Sequence, residues 1–257
     1  MEKFEAHINW NSEEIEDMLK FLLELQWDSV CIVAKKDELK EMLSELKNLK
    51  ENFKDLEIFS GIVIHENIRA NSRRYLDKVD FIFVDPTKSE NPEKVVREAS
   101  KSWEVDILSR VECYPKRDFM KQRNSGIDAI IAKLLAEKKI GLEFNFSNIL
   151  NTSGKKRALL LGRMKQNVRL ARKYKMLSII TSGASNRWEI RNPHDLVSFG
   201  RVLRMTDQEA KEAVFKNPVE ILEKIKRRND PNILLQGLEV VKWGSEKPRK
   251  KRKYGWY

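Results

Sequence analysis

Seven short apolar runs alternate with longer amphipathic segments, and this alternation limits the possible folds more than any other feature of the chain. The runs are Phe4–Ile8, Ser29–Ala34, Leu56–Ile64, Val79–Val84, Val105–Leu108, Ile140–Phe144 and Met176–Ile180. Their apolar residues are often consecutive, as strands covered on both faces require, whereas a half-exposed antiparallel strand would alternate. The segments between them carry apolar residues at three- and four-residue spacing. Residues 36–52 (KDELKEMLSELKNLKEN), for example, bring Leu39, Met42, Leu43, Leu46 and Leu49 to one helical face. Ser12, ahead of Glu13, Glu14 and Ile15, reads as the cap of the first helix. Seven β/α units predict a parallel sheet with right-handed crossovers. At 257 residues, and without a GxGxxG fingerprint, the expected fold is a TIM-barrel-like (β/α) barrel of about seven or more parallel strands with extra C-terminal helices. One barrel domain is expected over residues 1–240, followed by a basic, aromatic tail over 241–257.

In a parallel barrel the loops after the strands form the functional face. The loop after the seventh run reads TSGASNRWEIRNPHDL, residues 181–196. Its small residues, Ser182 to Ser185, predict a tight turn over the rim. Trp188 and Pro193 are expected to anchor the loop, and Arg187 and Arg191 to present charge.

Charge is distributed unevenly along the chain. Residues 1–109 hold 16 Lys/Arg against 24 Asp/Glu, a net of −8, while residues 110–257 hold 34 against 15, a net of +19. A half-molecule this basic is the electrostatic footprint of a nucleic-acid partner. The membrane alternative is weaker. No apolar run approaches the roughly 18 residues needed to span a bilayer, and no basic amphipathic helix flanked by aromatics is evident. MEKFEAHINW at the N-terminus lacks the basic and apolar regions of a secretion signal. Cys31 and Cys113 form no paired framework and read as free thiols, which fits a reducing, cytoplasmic compartment.

The most specific local signal is residues 155–175 (KKRALLLGRMKQNVRLARKYK), with nine basic and no acidic residues. At about 100° per residue, Leu161, Met164, Val168 and Ala171 share one side, and Lys165, Arg169, Arg172 and Lys173 share the neighbouring one. Solvated helices normally mix both signs through i, i+4 pairs, so this charge calls for an anionic partner. Lys155 opens the segment. A second basic group, Arg110, Lys116, Arg117, Lys121 and Arg123, follows the fifth run. The end, SEKPRKKRKYGWY, has six basic residues beside three aromatics, a composition that suits RNA phosphates and bases but also a merely solvated tail.

Enzyme templates fit less well. There is no nucleophile elbow, P-loop or HExxH helix. Metal-dependent phosphoesterases on barrels carry D-x-H-x-H on an early strand, where this chain has Glu5-Ala6-His7-Ile8-Asn9. Asparagine is a weak ligand for zinc or manganese. The alternative reading, a metal-dependent phosphoesterase, would need His7, His65 and His194 to meet at one rim, with Asp80, Asp85 or Asp106 nearby.

Gly126-Ile127-Asp128, the apolar helix after it, the basic helix, and Ser182, Ala184, Trp188, Arg191, Pro193, Asp195 and Leu196 in order resemble the ribonuclease P protein component 3 family. The likeness is strongest over residues 120–225 and includes Met205-Thr206, Ala210-Lys211, Ala213 and Asn217-Pro218. It departs at Ala129, where relatives carry histidine, and at Gln122, where an arginine is expected and Lys121 or Arg123 would substitute. The resemblance implies a barrel related to the phosphoesterases but without their metal set. It also implies a non-catalytic subunit of a ribonucleoprotein that removes 5′ leaders from precursor tRNA, with the chemistry on the RNA. The implied partners are ribonuclease P RNA, precursor tRNA, ribonuclease P protein component 2 in a heterotetramer, and the other ribonuclease P proteins. No cofactor is expected on the protein, with Mg²⁺ serving the RNA. The residues expected to contact RNA are Lys121, Arg123, Lys155, Lys165, Arg169, Arg172, Lys173, Arg187 and Arg191.

Overall fold

The computed structural model describes residues 3–235 and 237–245; of the basic tail foreseen over 241–257, residues 246–257 lie outside the described residues. Seven parallel strands follow one another in chain order around the sheet: β1 (Phe4–Asn9), β2 (Ser29–Ala34), β3 (Glu57–Ile64), β4 (Phe81–Val84), β5 (Ile107–Leu108), β6 (Gly141–Asn145) and β7 (Ser178–Thr181). Helices α1 (Ile15–Glu24), α2 (Leu39–Asn52), α3 (Ile68–Tyr75), α4 (Pro92–Lys101), α5 (Ala129–Glu137), α6 (Ser147–Leu150) and α7 (Gly154–Tyr174) fill the crossovers. They are followed by α8 (Pro193–Val202), α9 (Asp207–Lys211) and α10 (Asn217–Asn229). The TIM-barrel-like fold is as expected. A short antiparallel ribbon, β8 (Ile233–Leu235) with β9 (Leu238–Glu239), follows α10 and had no clear sequence signal.

Nearly every strand residue is buried, which is why the runs are continuous rather than alternating. Inside the barrel, Phe4, Phe59, Phe81 and Phe83 stack edge-on or tilted at 5.5–6.4 Å. Ile221, Leu222 and Ile225 of α10 join this inner cluster and stopper the end where the strands begin. Gly141 makes room for them, since a Cβ there would lie 2.5 Å from Ile221 Cδ1.

Seven strands leave a seam, and the loop after β7 closes it. Asn9 N donates to Ala184 O at 2.7 Å and Gly183 N to His7 O at 3.1 Å. The buried Glu5 carboxylate accepts from Ser182 N and His7 N at 3.2 and 3.3 Å. Gly183 is required here: its φ is +59°, and a Cβ would sit 2.0 Å from the Asn145 amide. The small residues therefore do more than turn over the rim, because their backbone stands in for an eighth strand.

One helix start differs from expectation. Helix α1 begins at Ile15, and Ser12 lies in the turn before it. Asn11 shapes that turn, its Oδ1 accepting from Glu13 N and its carbonyl from Glu14 N and Ile15 N. An asparagine two residues before the acidic run outcompetes the serine by making an Asx turn.

Candidate nucleic-acid interface

At the end of the barrel where the strands finish, a polar layer covers the phenylalanines. His7 Nδ1 donates to Glu143 Oε1 at 2.7 Å, and Thr181 Oγ1 donates to the same oxygen at 2.6 Å. Burial opposes charge on both partners, but their pairing outweighs it, holding the His7 imidazole above and the Glu143 carboxyl below their ordinary ranges. His7 Nε2 lies 3.3 Å from Asn9 Oδ1. Above this layer opens a cavity of about 810 Å³ lined by His65, Arg110, Asn145, Asn148 and Lys156.

This layer does not fit a phosphoesterase metal set. His7 is committed to Glu143, and His65 bonds the Asp85 carbonyl at 2.9 Å. His194 sits on α8 beside Phe215, away from the cavity lining, so the three histidines do not share one rim. The aspartates are also committed elsewhere. Asp80 accepts from Ser60, and Asp85 caps the turn Pro86–Lys88 and faces Arg110. Asp106 binds Arg228. Among the described residues no group of three His, Cys, Asp or Glu side chains could hold a metal ion.

Glu112, in the loop after β5, faces the same buried region. Burial raises its carboxyl from 4.5 to about 7, although Asn148 Nδ2 donates to it at 3.1 Å. A raised acid favours the protonated native state, so its contribution to stability is complete below about pH 4.5 and is lost as pH rises through 7. Glu112→Gln should therefore leave the melting temperature unchanged at pH 5 and raise stability by about 2 kcal/mol at pH 8. A melting comparison at the two pH values checks this; equal shifts at both would contradict it.

The basic surface is built on α7. Its buried side comprises Leu160, Arg163, Met164, Asn167, Val168 and Ala171, while Leu161 is only half-buried. The stripe expected from sequence is thus rotated slightly and includes two polar residues. Nor are all eight of its charges free. Arg163, 1% exposed, donates from Nε to Asp118 Oδ1 and from Nη1 to the Glu112 carbonyl, both at 2.9 Å. Arg157 bonds the Thr152 carbonyl at 2.6 Å. Arg172 grips Glu209 with two bonds of 2.6 and 2.7 Å, and this holds the Glu209 carboxyl down at about 2. Of the predicted contacts on this helix, Lys155, Arg169 and Lys173 are exposed and Lys165 half-buried, whereas Arg172 ties α7 to α9.

The loop after β5 lies along α7. Arg123 pairs with Asp118 at 2.7 Å and packs over Gly162, and Asn167 Nδ2 donates to Ser125 O at 3.0 Å. Lys116, Arg117 and Lys121 are exposed on it. The loop cations and the α7 cations therefore share one surface.

The 181–196 loop reverses an expectation. Trp188 is 79% exposed and anchors nothing. Arg191 does the anchoring, donating to the Trp188 and Ile190 carbonyls at 2.7 and 2.8 Å, with its guanidinium over Phe146. Arg187 is exposed and lies over both Phe21 and Trp188. Pro193 is buried at the first turn of α8, as expected.

Comparison with known proteins agrees with this geometry. Ribonuclease P protein component 3 of Methanocaldococcus jannaschii is 29% identical over 91% of this chain and 97% of its own length. That of Methanothermobacter thermautotrophicus is 27% identical over 87% and 89%. Among solved structures, a chain of archaeal ribonuclease P with mature tRNA aligns at a TM-score of 0.78 and 28% identity, covering 94% of this chain and all of that one. A 5-methylcytosine deaminase from Klebsiella pneumoniae, 12% identical with a TM-score of 0.53, shares the fold alone. The sequence profile described as RNase P subunit p30 matches residues 4–230, and the chain belongs to that family.

Proposed function

We propose that this chain is a protein subunit of ribonuclease P, the ribonucleoprotein that trims 5′ leaders from precursor tRNA. In this reading it supports the catalytic RNA together with ribonuclease P protein component 2 and the other protein subunits. The observation that carries the reading is the exposed cation stripe of α7 set beside the cationic loop after β5, on the half of the chain with a net charge of +19. Each phosphate neutralised there releases condensed counterions, so binding should weaken steeply as salt rises. The phosphoesterase alternative is not favoured, since the histidines it needs are separated and engaged. Mg²⁺ is assigned to the RNA, and the acidic N-terminal half to a basic protein partner.

The test is precursor-tRNA cleavage by the matching RNA at limiting Mg²⁺. RNA alone, RNA with component 2, and RNA with component 2 plus this protein are compared with a Lys155→Ala, Lys165→Ala, Arg169→Ala, Lys173→Ala variant. Arg172 is left intact because its bonds to Glu209 are structural. The protein should raise cleavage. The variant should lose roughly tenfold or more and show a salt dependence shallower by about three, as loss of four contacts requires. Cleavage indifferent to the protein would overturn the proposal.

A further inference from the structure

The indole of Trp188 is the most exposed aromatic side chain of the described residues, yet the backbone around it is hydrogen-bonded on both sides. Asn186 Oδ1 accepts from Trp188 N and Glu189 N at 3.0 and 3.2 Å. Arg191 holds the Trp188 carbonyl at 2.7 Å. Glu189 accepts from Ser185 N at 2.8 Å and from Asn151 at 2.9 Å, tying the turn to the junction of α6 and α7. A large apolar ring left in water on a flexible loop is unremarkable. One held in water by five hydrogen bonds around its backbone is a prepared contact, because the ordering cost of binding is already met.

We propose that Trp188 is a stacking platform for an unpaired RNA nucleobase, with Arg187 and the lysines at the start of α7 taking the flanking phosphates. The proposal rests on the reading that the chain binds RNA, and adds that part of that RNA is single-stranded at this rim. The Arg187 guanidinium lies 5.4 Å from the indole centroid and 5.1 Å from that of Phe21, so arginine and aromatic rings form one stacked surface. Such surfaces suit splayed-out bases, whose π-faces stack regardless of sequence. Lys155 and Lys156 are exposed just beyond the Asn151 link, and Lys156 lines the same cavity mouth as Ser185. Two carboxylates belong to the same turn, Glu189 as above and Glu14 accepting from Arg187 N at 3.3 Å, and the cations Arg187, Lys155 and Lys156 outnumber them. The charge around the ring thus favours a phosphate-bearing occupant over an apolar protein pocket.

The experiment measures binding of the full chain at low salt to two labelled probes, a twelve-nucleotide oligoadenylate and an abasic strand of equal length. The wild type should prefer the oligoadenylate by about tenfold, the range of one base–aromatic stack. Trp188→Ala should erase that preference and leave abasic binding unchanged, while Trp188→Phe keeps most of it. Equal affinity of the wild type for both strands, or a preference that survives Trp188→Ala, overturns the platform while leaving the RNA-binding reading intact. Loss of component 2 binding alone in Trp188→Ala also overturns it, by assigning the ring to a protein contact. If the wild type binds neither strand and also fails to stimulate cleavage, both readings fall together.

Discussion

Asp106→Ala is expected to lower the unfolding midpoint by roughly 10 °C, more than the loss of a single surface charge would. Asp106 is fully buried at the start of β5. It accepts two bonds from Arg228, at 2.9 and 3.1 Å, one from Ile82 N at 3.0 Å, and lies 3.6 Å from Lys224 Nζ. Arg228 is 1% exposed and also bonds the Asp80 carbonyl. Burial lowers the Lys224 ammonium to about 8 even with Asp106 in place. Removing the carboxylate strands two cations where α10 stoppers the barrel, a change that typically costs about 3–5 kcal/mol. Asp106→Leu combined with Arg228→Met and Lys224→Met should recover most of that loss, because the stranded charges go with it. Calorimetry on both variants decides the matter. An Asp106→Ala midpoint within 2 °C of wild type would mean that the α10 contact is not held by this carboxylate.

The strands were legible because a strand buried on both faces leaves little room for polar residues, so β2 coincides with the run seen at Ser29–Ala34. Where the match was looser, the cause was local. The run read at Val105–Leu108 is longer than β5, whose registered residues are Ile107 and Leu108. Asp106 still bonds both neighbours through its backbone, to Ile82 O and from Gly141 N, while its side chain reaches α10. The basic helix was legible as a helix and as a cationic surface. Its register was not, because the wheel treats every arginine as outward-facing, whereas Arg163 and Asn167 point inward to a loop some forty residues earlier in the chain. The grip of Arg172 on Glu209 was hidden for the same reason, since the two lie 37 residues apart in sequence. Trp188 and Arg191 exchanged their expected roles. Hydrophobicity favours burying the indole, but the Arg191 guanidinium is turned inward onto the Trp188 and Ile190 carbonyls of the rim turn. What periodicity conveys is which residues face an apolar layer; it carries no information on which polar pairs close over long separations.

Arg163→Ala is expected to free the loop after β5 and weaken RNA binding without removing any exposed charge. Arg163 is, with Arg228, the largest fully buried side chain among the described residues, and its guanidinium is what holds residues 112–118 onto α7. Asp118 in turn fixes Arg123 at 2.7 Å and Asn124 N at 3.2 Å, so the clamp extends along the cationic loop. Removing the side chain leaves a void in the packing and releases Asp118 and the Glu112 carbonyl, at a cost of roughly 3 kcal/mol. The local consequence is more telling than the global one. Lys116, Arg117, Lys121 and Arg123 are trypsin sites on an ordered loop, and opening of that loop should expose them. Limited trypsin digestion should cut the variant within 116–123 about tenfold faster than wild type, under conditions where the barrel itself stays folded. Arg163→Met, which keeps the apolar stem and loses the fork, should show the faster cutting with a smaller fall in midpoint. RNA affinity should drop in both, because phosphates then meet loop cations that must first be ordered. If both variants are cut at the wild-type rate, the loop is held by Asn167 and Tyr114 instead, and its charges are positioned without help from the buried arginine.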